Sequence, residues 1–255
     1  MTDRTAEDAV LGNYVEAAQR DRATLGILLH GSRASGRHRD DSDYDLIRVV
    51  SQEAYGLRRE SGTLHERVGL DGGLIGDVLY QTPSRIEPYV SNPGWFTATY
   101  LSARVAFDRD GNIGAMLARM RAEADRIAGE NVPTAYDGYL NSFVRSLKSA
   151  RLGEDLGRRL HAAESAPALI RTLFGLESTW PPYHDYLAPA LPAIESAQGW
   201  PAGYLSMALS RLIGDADATF QQELEGRVEQ LLASRGMQHE WGTDLEPLKA
   251  LRFDG

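Results

Sequence analysis

The chain has 255 residues, 42% hydrophobic and 25% charged, a globular composition that excludes a disordered, collagen-like or disulfide-framed chain. Its 27 basic against 36 acidic side chains leave a net charge of -9, which argues against a protein built to grip nucleic-acid backbone. With no cysteine, thiolate catalysis, cysteine-ligated zinc and disulfides are excluded as well. The first residues are charged and form no apolar leader, and no run of about 18 apolar residues occurs, so a cytoplasmic protein with no membrane partner is the expectation.

Residues 5–22 place Val10, Leu11, Tyr14 and Ala18 at helical spacing, which predicts an amphipathic helix. The apolar run 25–30 then stops at Gly31-Ser32, as a buried strand turning into a helix does, and a second strand is predicted over 44–50. Asp71-Gly72-Gly73 between the apolar segments 64–70 and 74–80 predicts a hairpin. Residues 101–107 alternate weakly as a strand, and 113–127 carry Met116, Leu117, Met120 and Ala124 on one helical stripe. Beyond Asn131-Val132-Pro133 the strand signals nearly vanish, leaving helices separated by proline-containing loops. The expected fold class is α+β: a small mixed-sheet domain over residues 1–131, then an all-helical domain over 132–255.

The chemistry concentrates between residues 28 and 45. Asp43 and Asp45 are two apart at a predicted strand start, so both carboxylates project from one face with alpha carbons about 6.5 Å apart. Two such carboxylates repel unless a cation neutralises them, and oxygen-only ligands favour magnesium, which in turn recruits triphosphate oxygens. Gly31 lets backbone approach a phosphate closely, Ser32 offers a hydroxyl and free N–H groups, and Arg33, Arg37 and Arg39 stand nearby.

An apolar residue, Gly31-Ser32, ten further residues and then Asp43-Tyr44-Asp45 resembles the signature of the DNA polymerase β-like nucleotidyltransferase superfamily. Within it, the two-part layout resembles the bacterial enzymes that adenylylate aminoglycosides and related antibiotics. The resemblance implies a nucleotidyltransferase domain in which Gly31-Ser32 hold the nucleotide's terminal phosphates and Asp43 and Asp45 bind two magnesium ions. It implies AMP from ATP as the donated group and pyrophosphate as leaving group; the helical half resembles only the general plan, so the acceptor is not carried over, and the acidic total favours a hydroxyl of a small, cationic, aminoglycoside-like molecule, with antibiotic resistance as the expected role. It also implies a third acid on a later strand, for which Asp77 is the best match because a lone carboxylate in an apolar strand needs a cation or donor. Glu66, Asp71 and Glu87 are rivals nearer predicted turns or strand ends. Asp77 would complete a metal site or take the acceptor's proton.

In the helical half, Leu140, Phe143, Val144 and Leu147 share a face that continues into Arg151 with Lys148 and Asp155 at its border, as in a helix passing from core to cleft. Lys148 is then a candidate triphosphate ligand; the alternative is a solvated face. Glu164 is a candidate base for the acceptor hydroxyl, or a helix-end glutamate beside Ser165, which is placed to cap the apolar segment that follows. Arg171 needs an anionic partner if buried. Trp180, Tyr183, Asp185 and Tyr186 suit a pocket for a cationic or sugar-like acceptor, or helix packing around Pro181-Pro182. His239-Glu240-Trp241 lacks the second histidine of a zinc motif and reads as structural, and His30 is either a phosphate contact or a satisfied strand end. Two further readings stay open: adenylylation of a protein partner, as in toxin-antitoxin relatives, and a non-catalytic nucleotide sensor.

Overall fold

The computed structural model describes residues 4–94, 96–239, 241 and 245–251, with backbone alone at 4–8 and 248; Glu240 of the sequence reading lies outside the described residues. The chain divides into two compact units, Met1–Ala124 and Asp125–Gly255. The fold is α+β, with a five-stranded mixed sheet in the first unit and helices in the second.

The first unit runs α1 (Arg4–Gln19), β1 (Thr24–His30), α2 (Gly31–Ala34), β2 (Tyr44–Val50), α3 (Gln52–Glu60), β3 (His65–Gly69) and β4 (Ile75–Gln81). Three short helices follow, α4 (Pro83–Ile86), α5 (Pro88–Ser91) and α6 (Thr97–Ser102), then β5 (Arg104–Asp108) and α7 (Asn112–Glu130), whose last residues belong to the second unit. The sheet order is β3-β4-β2-β1-β5, with β2 and β4 parallel and the other neighbours antiparallel. The Asp71-Gly72-Gly73 turn closes the β3–β4 hairpin with Gly72 and Gly73 at φ of 73° and 76°, a backbone that glycine adopts without strain. Residues 101–107, expected as one strand, are divided: Leu101 and Ser102 end α6, and pairing with β1 begins at Arg104.

Two-residue alternation sorts the central strands between two apolar layers. Ile27, Leu29, Tyr44, Leu46, Val78 and Tyr80 share a cluster with Leu11 of α1 and Tyr55 of α3. Leu28, Ile47 and Val49 face the other way, onto Ile86, Tyr100, Ile113, Met116 and Met120. Being covered on both faces explains why residues 25–29 carry no charged or polar side chain rather than alternating.

The second unit comprises α8 (Val132–Arg151), α9 (Asp155–Gly175), α10 (Leu187–Gln198), α11 (Tyr204–Gly214), α12 (Ala218–Ser234) and α13 (Glu246–Lys249). Pro133 sits in the first turn of α8, where its missing N–H breaks no helical bond. Its core gathers Tyr139, Phe143 and Leu147 from α8, Leu169 and Leu173 from α9, and Leu224 and Val228 from α12. The stripe expected to run on to Asp155 ends earlier: the chain turns at Gly153, φ 73°, and Asp155 opens α9. Ser165 caps nothing, because α9 is continuous through it; it is buried and its Oγ donates to the Ala162 carbonyl at 2.7 Å. No helix among the described residues is long and apolar enough to cross a membrane.

Candidate active site

The parallel β2–β4 register places Asp45 directly beside Asp77, and β1 places His30 opposite Asp45. Asp43, just before β2, shares the odd-numbered face with Asp45, Ile47 and Val49. On β4, Val78 and Tyr80 occupy the opposite layer, so Asp77 projects on the same face as Asp45. Three acids scattered over 35 residues of sequence thus converge at one edge of one sheet face.

The same alternation separates Asp77 from its rivals. Glu66 stands opposite Val78, on the other face, where Tyr80 Oη donates to it and Arg58 Nη1 pairs with it at 3.4 Å. Asp71 lies in the hairpin turn and accepts from Asn13 Nδ2 at 2.6 Å, and Glu87 pairs with Arg119 at 2.9 Å.

Gly31 is what lets the carboxylates sit against the turn. Its φ is 69°, and a Cβ there would lie 1.9 Å from Asp45 Oδ2. Gly31→Ala is therefore expected to destabilise the protein by at least the about 1–2 kcal/mol that a left-handed backbone imposes on an L side chain, with the overlap adding to it. Chemical denaturation of the two proteins measures this, and equal stability would refute the close approach.

Arg33 is bonded to the loop that leads into β2. It is only 6% exposed, its guanidinium donates to the carbonyls of Ser42 (2.6 and 3.0 Å) and Asp43 (3.2 Å), and it lies 4.1 Å over the Tyr44 ring. Those bonds tie Arg33, expected from the sequence to contact nucleotide, to the segment that presents Asp43. Arg37 is exposed, with its backbone N–H on the Ser32 carbonyl at 2.9 Å.

Burial, then the charges of Asp43 and Asp77, push the Asp45 carboxyl up to about 6. Burial pulls His30 down to about 4, with Asp77 acting against it, so its imidazole is neutral at neutral pH. Two residues that sequence reasoning missed complete the surroundings. His65 Nε2 contacts Asp77 Oδ1, and Arg67 Nη2 lies 3.8 Å from Asp43 Oδ2. Counting outward from the turn at Gly72 pairs Arg67 with Asp77, so the hairpin register carried the signal.

The donor set is all oxygen and mutually repelling, which suits a hard dication such as magnesium. Among the described residues, however, no group of three or more His, Asp or Glu side chains already stands in metal-holding geometry. With His65 on Asp77 and Arg67 beside Asp43, these two carboxylates are partly engaged by the protein's own side chains.

Lys148 and Glu164 belong to the second unit. Lys148 is exposed on α8, and Glu164 is exposed on α9 with His161 Nδ1 3.2 Å from it. The group expected to form an acceptor pocket is divided: Trp180 lines a concavity, whereas Tyr183, Asp185 and Tyr186 are not among its lining residues. Arg171, conditional on burial in the sequence reading, is exposed at that concavity. His239 Nε2 lies 3.1 Å from Glu229, a structural contact.

The chain matches no protein-family model and no curated protein. Among solved structures it is similar to a nucleotidyltransferase-like protein from Exiguobacterium sibiricum 255-15, at 12% identity and a TM-score of 0.48, over 90% of this chain and 75% of that one.

Proposed function

We propose that the chain is a magnesium-dependent nucleotidyltransferase that moves AMP from ATP onto a hydroxyl of a small molecule. The observation that carries the reading is the placement of Asp45 and Asp77 side by side on β2 and β4, with Gly31 backed directly against the Asp45 carboxylate.

Asp43, Asp45 and Asp77 would hold two magnesium ions. When bound, magnesium would neutralise charge on the triphosphate and acidify an acceptor hydroxyl. The overall change forms a bond from the acceptor oxygen to the α-phosphorus and breaks the bond from that phosphorus to the bridging oxygen, releasing pyrophosphate. Asp77 would complete the ligand set or take the hydroxyl proton on a carboxylate oxygen. Arg33 keeps Asp43 in place through the Ser42 and Asp43 carbonyls. Gly31 keeps the floor free of side chain, so phosphate oxygens can approach the Gly31-Ser32 backbone. Neutral His30 adds no cationic charge at that turn.

The test is pyrophosphate release with each of the four nucleoside triphosphates, with and without magnesium, across aminoglycosides, lincosamides and control proteins. Turnover that requires magnesium and one small-molecule acceptor is expected. Turnover on a protein would reassign the acceptor, nucleotide binding without turnover would favour a sensor, and no magnesium-dependent nucleotide binding would sink the site.

A further inference from the structure

The second unit contains a concavity of about 330 Å³, lined by none of the residues proposed for nucleotidyl transfer. Its walls are mostly small side chains of the α7 end, α8 and α9, among them Gly138 and Ala168, closed on one side by Trp180 and Pro181. The loop bearing Trp180 is held firmly: Asp125 Oδ1 accepts from the Trp180 backbone N–H at 2.9 Å, and the Ser178 N–H donates to the Gly175 carbonyl at 2.8 Å. Beneath it α7 and α9 approach so closely that a Cβ on Gly175 would lie 2.5 Å from the Ala128 carbonyl oxygen.

Two features of this concavity lack a structural account. Gly138 is in the interior of α8, where glycine costs about 1 kcal/mol relative to alanine. Packing does not require it, because an added Cβ would meet only the Ala168 Cβ, at an ordinary 3.8 Å. What glycine achieves there is space. The second feature is Arg171: among the described residues its guanidinium has no ion pair or hydrogen bond, whereas Arg158 and Arg159 on the same helix are both tied to Asp155.

A free guanidinium fork at the rim of an apolar pocket matches a planar carboxylate, which it can bind through two parallel hydrogen bonds. Among the described residues the lining contains no acidic side chain and Arg171 as its one cation, so the pocket's charge selects an anion. Trp180 supplies an aromatic surface, and the volume is at the lower end of the roughly 300–1,000 Å³ of small-molecule sites. We propose that this pocket binds a small aromatic carboxylate of one or two rings, with Arg171 on the carboxylate and Trp180 against the ring. The sign of the ligand is thus opposite to that expected from Trp180 together with Asp185, since Asp185 does not line the pocket and Arg171 does. The inference does not rest on the transferase reading.

Titration calorimetry on the full chain tests it, with benzoate and 2-naphthoate as probes, their neutral amides as isosteres, and benzylamine as the cationic control. Saturable binding of a carboxylate is expected, with its amide roughly tenfold weaker or worse, the loss of one charge-assisted pair. Arg171→Met should erase that difference. Gly138→Leu should abolish binding while helix propensity holds or raises the melting temperature. Should the leucine variant fail to fold, the amide comparison and Arg171→Met decide the matter alone. Equal binding of acid and amide, preference for benzylamine, carboxylate binding untouched by either variant, or no saturable carboxylate binding up to millimolar concentration would each overturn the proposal.

Discussion

Asp45→Asn is expected to lower magnesium-dependent turnover by about a thousandfold or more, because several kcal/mol of charge stabilisation at the transferring phosphoryl group is lost. The same substitution is expected to leave the metal-free fold intact and slightly more stable. Asp45 is partly buried beside Asp43 and Asp77; its burial first, and then their like charges, disfavour its ionised form and push its carboxyl up to about 6. Asparagine has nearly the same shape and removes one of the three charges. Solvent screening limits the gain to about 1 kcal/mol, which in a chain of this size raises the melting temperature by a few degrees. Opposite signs for activity and stability separate a carboxylate kept for chemistry from one kept for the fold. If turnover persists in the asparagine variant, the assignment of Asp45 fails; if the variant unfolds, its carboxylate has a structural role instead.

The second large effect concerns the helical unit. Glu225 is wholly buried, accepts from Tyr136 Oη at 2.7 Å, and has Lys249 Nζ 3.7 Å away. Burial pushes its carboxyl up to about 8, with the Tyr136 hydrogen bond and Lys249 acting against the rise. A carboxyl whose folded value exceeds its unfolded one contributes stability in full below the unfolded value and loses it as pH climbs through the folded one. Here that window runs from the ordinary glutamate value of about 4.5 to about 8. Glu225→Gln keeps an acceptor for Tyr136 and cannot ionise. Urea unfolding should find the two proteins nearly equal at about pH 5 and the glutamine variant more stable by a few kcal/mol at about pH 9. Parallel pH dependence in the two proteins would show that Glu225 does not carry this linkage.

Local pattern made much of the first unit legible. The 25–30 run, the 44–50 strand and the Asp71-Gly72-Gly73 turn correspond to β1, β2 and the β3–β4 hairpin, because a doubly covered strand is apolar over most of its length and glycine adopts the turn's positive φ without strain. The switch after Pro133 to helices was equally plain, since a strand signal depends on composition over a few residues. Asp43 and Asp45 share a face for the same local reason.

Chain pairing at long range decided the rest. Which acid joins Asp45 depended on β4 running parallel to β2 in the register that sets Asp77 beside it and turns Glu66 to the opposite face. The fate of each arginine was likewise tertiary: Arg33 is bound to carbonyls nine and ten residues along, whereas Arg171 is left unpaired at a pocket. A charged side chain has no intrinsic preference between those states, because its partner is fixed by where distant backbone and side chains come to rest. Sequence determined the elements and the kinds of charge they carry; tertiary structure determined which charges meet, because Coulombic and hydrogen-bond energies depend on distances that only packing sets.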